Sequence, residues 1–398
     1  MEWGYPKKTG DSTYEIPGHW LHIHYFEALN ILFRLENSLR MFVFSVLKNA
    51  MFDNWVNIQI SVEDGGPSNT ISVTAKRRAG QAKGFEYLGY QVACPIMYLT
   101  GGELSRIIAS EEYWRLFAGH LKGSRELIKT KLDEIGYIRN ALAHFRPISG
   151  DDIEVIRQNA KQVLSPVEDY LGGMTSSTGT VPTNTDDKWY HDLQALAAVC
   201  AENDYRFVPR QDNTGDWVEL AVGFSLPNIK ERRDGKYRSV TTTLLWTSAI
   251  PRLFPIIGKY ITRISESSIW FDAPDDDSCE IRKNCKFSFR KKVLEEHSEE
   301  IAEAFVSLIK KVVEETVLVA EDNLARGSLV RSGRCHAIWK EDAERWEGRI
   351  ERLWCPVGED DAPEYWGRLD FGFVDIVAGA SRYPWMAVDV SSSTGWKM

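Results

Sequence analysis

From Trp20 to Ala50 the chain carries no proline or glycine. Its apolar residues recur there at three- and four-residue intervals: Leu21, Phe26, Leu29, Leu32, Phe33, Leu39, Phe42, Val43, Val46 and Leu47. That period marks one face of an α-helix. A helix of this length buries its stripe only against other elements packed along it, so the first part of the chain is committed to a helical bundle.

Helical pattern returns in short pieces over 102–110 and 111–120, and strongly from Ser124, a suitable N-cap, to Ala143. Pro147 stops that helix. Another starts near Asp151, with Asp152 and Glu154 in the first turn, where the helix dipole favours negative charge. Between these helices, Ile58-Gln59-Ile60-Ser61-Val62 and Ile71-Ser72-Val73-Thr74 alternate around Glu63-Asp64-Gly65-Gly66-Pro67 and predict an inserted β-hairpin, followed by the basic residues Arg77, Arg78 and Lys83.

The stretch from Gly172 to Thr185 is small, polar and threonine-rich, without apolar period, and reads as an interdomain linker. Beyond it both periods occur. Strands are predicted over 205–208, 217–224, 239–246, 286–289 and 368–374, and helices over 189–201 and 294–320. The expected organisation is therefore an all-α helical bundle with an inserted hairpin over residues 1–172, a linker over 173–186, and an α+β domain over 187–398. The last holds ten of the fourteen tryptophans, most of them expected in its core.

The chain has 48 basic and 57 acidic residues, a net charge of −9, and most of the excess acid follows residue 175. A chain of this balance does not coat nucleic acid, because counterion release needs clustered Lys and Arg. Any polyanion contact must be local, or assembled from two chains. The longest apolar run, Met41 to Leu47, is bracketed by Arg40 and Lys48, so no bilayer span is expected. The first residues lack the basic-then-apolar order of a secretory signal, and six scattered cysteines suggest free thiols; a cytoplasmic location is expected.

One segment concentrates chemistry: Tyr137-Ile138-Arg139-Asn140-Ala141-Leu142-Ala143-His144-Phe145-Arg146-Pro147. Arg is a permanent cation whose planar fork suits phosphate oxygens. His exchanges a proton near neutral pH. Together they supply a base for a 2′-hydroxyl and a fixed cation for the charge on a pentacoordinate phosphorus, without a metal. Asn140 and His144, four apart, stack on one helix face. Arg139 and His144, five apart, point about 140° away from each other around an ideal helix. Either the helix unwinds before Pro147, or a second subunit supplies the partner across a two-fold axis. The dimer is favoured, since it also gathers Arg139 and Arg146 from two helix ends into one positive cleft.

The R-N-x-x-x-H segment late in a helical domain resembles the signature of HEPN ribonucleases. Leu35-Glu36-Asn37-Ser38-Leu39-Arg40 with Trp55 after it, Tyr98-Leu99-Thr100-Gly101-Gly102-Glu103-Leu104, and the acidic start Asp151-Asp152 are similar to other parts of that family's pattern. The likeness covers roughly residues 20–172. It implies a helical domain that dimerises and cleaves RNA without metal or other cofactor, often leaving 2′,3′-cyclic phosphate ends and often acting on tRNA. Arg139 and His144 would be the catalytic pair and Asn140 the supporting polar residue. Glu36, Arg40 and Arg146 would support them, Glu36 by orienting Arg139 or His144. Family members serve as toxins and abortive-infection antiviral effectors, so a phage-derived trigger or an antitoxin is an implied partner, and the second domain an implied restraint or recruiter. The alternative is a non-catalytic dimeric module that recognises a protein or nucleic acid, with Arg139 and His144 merely capping a helix C-terminus.

Metal readings fare worse. His19, His22 and His24 have no Cys or carboxylate at ligand spacing, and Cys279 and Cys285 are too far apart for a zinc pair. Asp275-Asp276-Asp277 with Glu280 and Lys283 lacks the spacing of a metal-dependent nuclease and reads as a solvated turn. No phosphate loop, dinucleotide fingerprint or nucleophile elbow occurs.

Overall fold

A computed structural model describes residues 7–10, 14–15, 23–61, 69–84, 94–175, 185–272, 279–321, 327–340, 345–349, 358, 360–369 and 383–386. The chain divides into two compact units, one comprising Met1–Gly172 with Phe373–Met398, the other Gly173–Gly372. The C-terminal residues, expected in the second domain, thus cluster with the helical one. The physical reason is aromatic. Tyr383 and Trp385 are buried, Tyr383 edge-on to Phe33 at 5.6 Å between ring centroids and Trp385 edge-on to Phe44 at 5.2 Å.

In the first unit, β1 (Lys7–Lys8) pairs antiparallel with β2 (Tyr14–Glu15), and α1 (Ile23–Met51) follows as one unbroken helix. Its buried face includes Ala28, Leu32, Leu35, Leu39, Phe42 and Val46. A short ladder, β3 (Gln59–Ser61) with β4 (Asn69–Thr70), stands in the region expected to be a hairpin. The strand expected over 71–74 is instead the first turn of α2 (Ile71–Lys83). Thr70 decides this, its side chain accepting a hydrogen bond from the Val73 N–H as an N-cap.

Next come α3 (Gly101–Ile108), α4 (Trp114–Phe117), α5 (Arg125–Ala143) and α6 (Gly150–Thr175). A Thr100/Glu103 capping box starts α3, and Ser124 caps α5 as expected. At the start of α6, the Ser149 N–H donates to Asp152 Oδ2 and the Asp152 N–H to Ser149 Oγ. Helix α6 continues through Gly172 and Gly173 to Thr175, so the beginning of the expected linker is helical; residues 176–184 lie outside the described ones.

The second unit is mixed α and β. Helix α7 (Lys188–Ala201) leads into β5 (Arg206–Gln211), β6 (Trp217–Leu226), β7 (Asn228–Asp234) and β8 (Tyr237–Leu245). Two short helices, α8 (Ile250–Leu253) and α9 (Pro255–Tyr260), precede β9 (Arg263–Asp272), β10 (Cys279–Arg290), α10 (Lys291–Glu321), β11 (Val330–Lys340) and β12 (Arg345–Arg349). The strands form two antiparallel sheets in the orders β5-β6-β10-β9 and β12-β11-β8-β7.

Helix α10 lays Val293, Leu294, Ile301, Phe305 and Leu308 into the core, with the Phe305 ring 5.0 Å from Phe287 on β10. Its Glu315 receives the Leu329 and Val330 N–H groups at 2.6 and 2.9 Å and the Ser328 hydroxyl. Burial opposes the carboxylate, but these donors win and hold its pKa down to about 2. Among the described tryptophans of this unit, Trp189, Trp217 and Trp366 are buried. The strand expected at 368–374 lies mostly outside the described residues. Among the described residues, no helix is long and apolar enough to cross a membrane.

Candidate functional site

Helices α1 and α5 bring two of the singled-out residues into contact. Glu36 stands between two arginines, accepting from Arg40 Nη2 at 3.0 Å and facing Arg139 Nε at 3.4 Å. Arg40 is fixed further, donating to Asn37 Oδ1 at 2.8 Å and to the Leu99 carbonyl at 3.1 Å. Burial lowers the Arg40 pKa from its ordinary value, and the Glu36 carboxylate opposes that effect. The cluster carries two cations and one anion, so it retains a net positive charge. Arg139 is 39% exposed, and Glu36 is its one ion-pair partner among the described residues.

Gly101 explains how closely α3 approaches. A Cβ built there would lie 2.8 Å from Glu36 Oε1, so only glycine leaves the carboxylate in position.

Two cavities adjoin this cluster. A groove of about 710 Å³ has Glu36, Arg40 and Arg139 as its charged lining, Asn30 and Asn37 as further polar lining, and Phe26, Leu29, Phe33 and Phe145 among its apolar lining, with Met386 also reaching it. A smaller cavity of about 270 Å³ is lined by Arg139, Asn140, Glu36, Thr100 and Ser105. His144 and Arg146 line neither; both are exposed at the end of α5. Within one chain, then, Arg139, Glu36 and Arg40 come together, Asn140 borders them, and His144 stands apart at the helix end.

The termination of α5 accounts for the position of His144. His144 is the C-cap, the Phe145 N–H donates to Leu142 O at 3.0 Å, and the Arg146 N–H to Ala141 O at 2.9 Å. This is a Schellman ending, which normally uses glycine in the left-handed position. Here Phe145 occupies it at φ 53, with its ring 88% exposed. The Tyr25 hydroxyl donates to the Arg146 carbonyl and ties the ending to α1.

Tyr25 escaped the sequence reading, as did the roles of Asn37 and Phe145 within the quoted motifs, and for Phe145 the residue type argues against the conformation it adopts. A bulky residue at positive φ costs about 1–2 kcal/mol, and glycine relieves it while losing some chain entropy. Phe145→Gly is therefore expected to raise the thermal midpoint slightly, by up to about 1 kcal/mol of stability. A lowered midpoint in thermal denaturation would show instead that the ring packs.

Of the metal candidates, His19, His22 and Asp275–Asp277 lie outside the described residues, His24 is half-buried on α1, and Cys285 is buried in β10. Among the described residues, no three His, Cys, Asp or Glu side chains converge as a metal site requires. The chain matches no family model, no curated protein and no solved structure.

Proposed function

We propose that this protein is a metal-independent endoribonuclease of the HEPN type whose working site is assembled between two copies of the chain. The observation that carries the reading is a separation: Arg139 is held by Glu36 in a groove, while the imidazole of the same segment, His144, is exposed at the helix end and does not line that groove. Two such ends facing each other across a two-fold axis supply each groove with the other chain's imidazole. The apolar stripe Phe26, Leu29 and Phe33, exposed at 54, 55 and 41%, supports a buried interface on this side of α1.

In this mechanism His144 takes the proton of a ribose 2′-hydroxyl, and the resulting oxygen attacks the adjacent phosphorus. The Nη groups of Arg139 bind the charge that builds on the equatorial oxygens. The bond to the 5′-oxygen breaks and that oxygen takes a proton, leaving a 2′,3′-cyclic phosphate and a 5′-hydroxyl. Glu36 holds the Arg139 fork in register, and Asn140 orients the end of α5. tRNA is the substrate to try first. The role is that of a toxin or abortive-infection effector in the cytoplasm, with the second unit restraining or recruiting until a phage-derived trigger or an antitoxin changes the balance.

Mixing tests the composite site. Arg139→Ala and His144→Ala proteins, each inactive alone, should on subunit exchange regain roughly a quarter of wild-type tRNA cleavage, because half of the dimers then contain one intact site. EDTA should not affect the rate. If both variants cleave as wild type does while remaining dimeric, the protein is a binding module.

A further inference from the structure

The second unit presents a basic sheet face that the cleavage reading does not use. In the sheet β12-β11-β8-β7, residues paired across strands share a face. The register sets Lys230 beside Thr241 beside Arg334, and Arg232 beside Ser239 beside His336. Burial identifies this face as the outer one. Lys230, Arg232, Arg334 and His336 are exposed and Ser239 and Thr241 half-exposed, whereas Arg238 and Val240, on the opposite face of β8, are buried. Arg238 spends its charge there on Glu231. None of the four outer basic residues has an ion-pair partner among the described residues. Tyr237 ends the face, 65% exposed and paired in register with Asp234, the acid at its rim.

We infer that this face binds single-stranded RNA through its phosphates. Alternate residues on a strand are about 6.6 Å apart, so each of the two columns, Lys230/Arg232 and Arg334/His336, repeats near the step between successive phosphates of an extended strand. The columns lie two strand spacings apart, about 9.5 Å, with the Ser239 and Thr241 hydroxyls between them as hydrogen-bonding groups for phosphate or ribose. Tyr237 offers a ring for a base to stack on. Charge on β7 alone would be explained as protection of a sheet edge against pairing. That explanation does not reach Arg334 and His336, which sit on the interior strand β11. In a chain of net charge −9, where a polyanion contact has to be local, cations gathered on one sheet face supply such a contact.

The inference extends the ribonuclease reading but does not depend on it, and its test keeps the two apart. The probe is a fluorescein-labelled 2′-O-methyl oligonucleotide, which has no 2′-hydroxyl to cleave, titrated with full-length protein and read by anisotropy over a salt series. Wild type should bind with a log–log salt slope of about −2, from three permanent cations on a single strand. Lys230→Glu/Arg334→Glu should weaken binding by roughly tenfold or more and flatten the slope, while Lys230→Arg/Arg334→Lys retains it. All four side chains are exposed, and an unchanged circular dichroism spectrum and thermal midpoint confirm the fold of each variant. Binding that is equal in wild type and the charge-reversed variant overturns the assignment. So does binding of this face to phosphatidylserine vesicles in preference to the oligonucleotide, which makes it a lipid-surface contact. Loss of tRNA cleavage by His144→Ala with oligonucleotide binding intact would leave the inference standing, as would a failure of the cleavage reading with binding intact.

Discussion

Replacing His144 by alanine is expected to lower tRNA cleavage by roughly 10²–10⁴-fold, the usual contribution of a positioned general base. Arg139→Ala should cost about 10²–10³-fold, the range for removing one donor to developing oxyanion charge. Neither loss should come from unfolding. His144 is exposed, and its contribution to the helix ending is made by the backbone, which alanine preserves. Arg139 is partly exposed, and the Glu36 it leaves behind keeps Arg40 as a partner. Initial rates on purified tRNA, with thermal midpoints measured alongside, separate the chemical effect from a structural one. Undiminished rates in both variants would remove the ribonuclease assignment.

The largest effect on stability is expected in the second unit. Lys283 on β10 and Glu266 on β9 form a 2.8 Å ion pair with both side chains fully buried, and Lys283 Nζ also donates to the Leu245 carbonyl at 2.7 Å. Their register places them on one face of the sheet, where Cys285 is the direct partner of Glu266 and the neighbours Ile281 and Phe287 are apolar. A charge left alone there has no water to turn to. Lys283→Met should therefore destabilise the unit by about 3–5 kcal/mol. The double replacement Lys283→Met/Glu266→Leu should recover most of that loss, since apolar side chains of similar volume often replace a buried pair at little cost. Urea titrations of the wild type and the two variants would read the difference. Equal midpoints for wild type and Lys283→Met would mean that the carboxylate finds other donors.

Which elements could be read from the chain follows from where their stabilisation originates. Helices α1, α5 and α10 advertise themselves because one apolar face, repeated every turn, is all they need. Strands β7, β9 and β11 do not. Asn228–Asp234 is almost wholly polar along an edge, β9 buries Arg263 and Glu266 where alternation calls for apolar residues, and β11 opens Val330-Arg331-Ser332-Gly333-Arg334. What makes these segments strands is pairing with residues far away in sequence. The four residues Ile71–Thr74 fit either period, and one side-chain cap chose the helix.

At the site, side-chain chemistry singled out Arg139 and His144, spacing put Asn140 on the face of His144 and turned Arg139 and His144 apart, and the family resemblance pointed to Glu36 and Arg40. The Glu36 contact to Arg139 crosses from one helix to another, so its geometry was beyond the spacing rules. The left-handed Phe145 was hidden because the sequence signal for such a turn is glycine.

The return of Tyr383 and Trp385 to α1 has a consequence for the order in which this protein comes into being. The whole second unit is spelled out between the two pieces of the first. A nascent chain that has already made α1, α5 and the Arg139 segment still lacks the rings that pack edge-on against Phe33 and Phe44. The helical unit gains its complete core only after the ribosome has passed Trp385, so translation itself delays the moment at which that unit is finished.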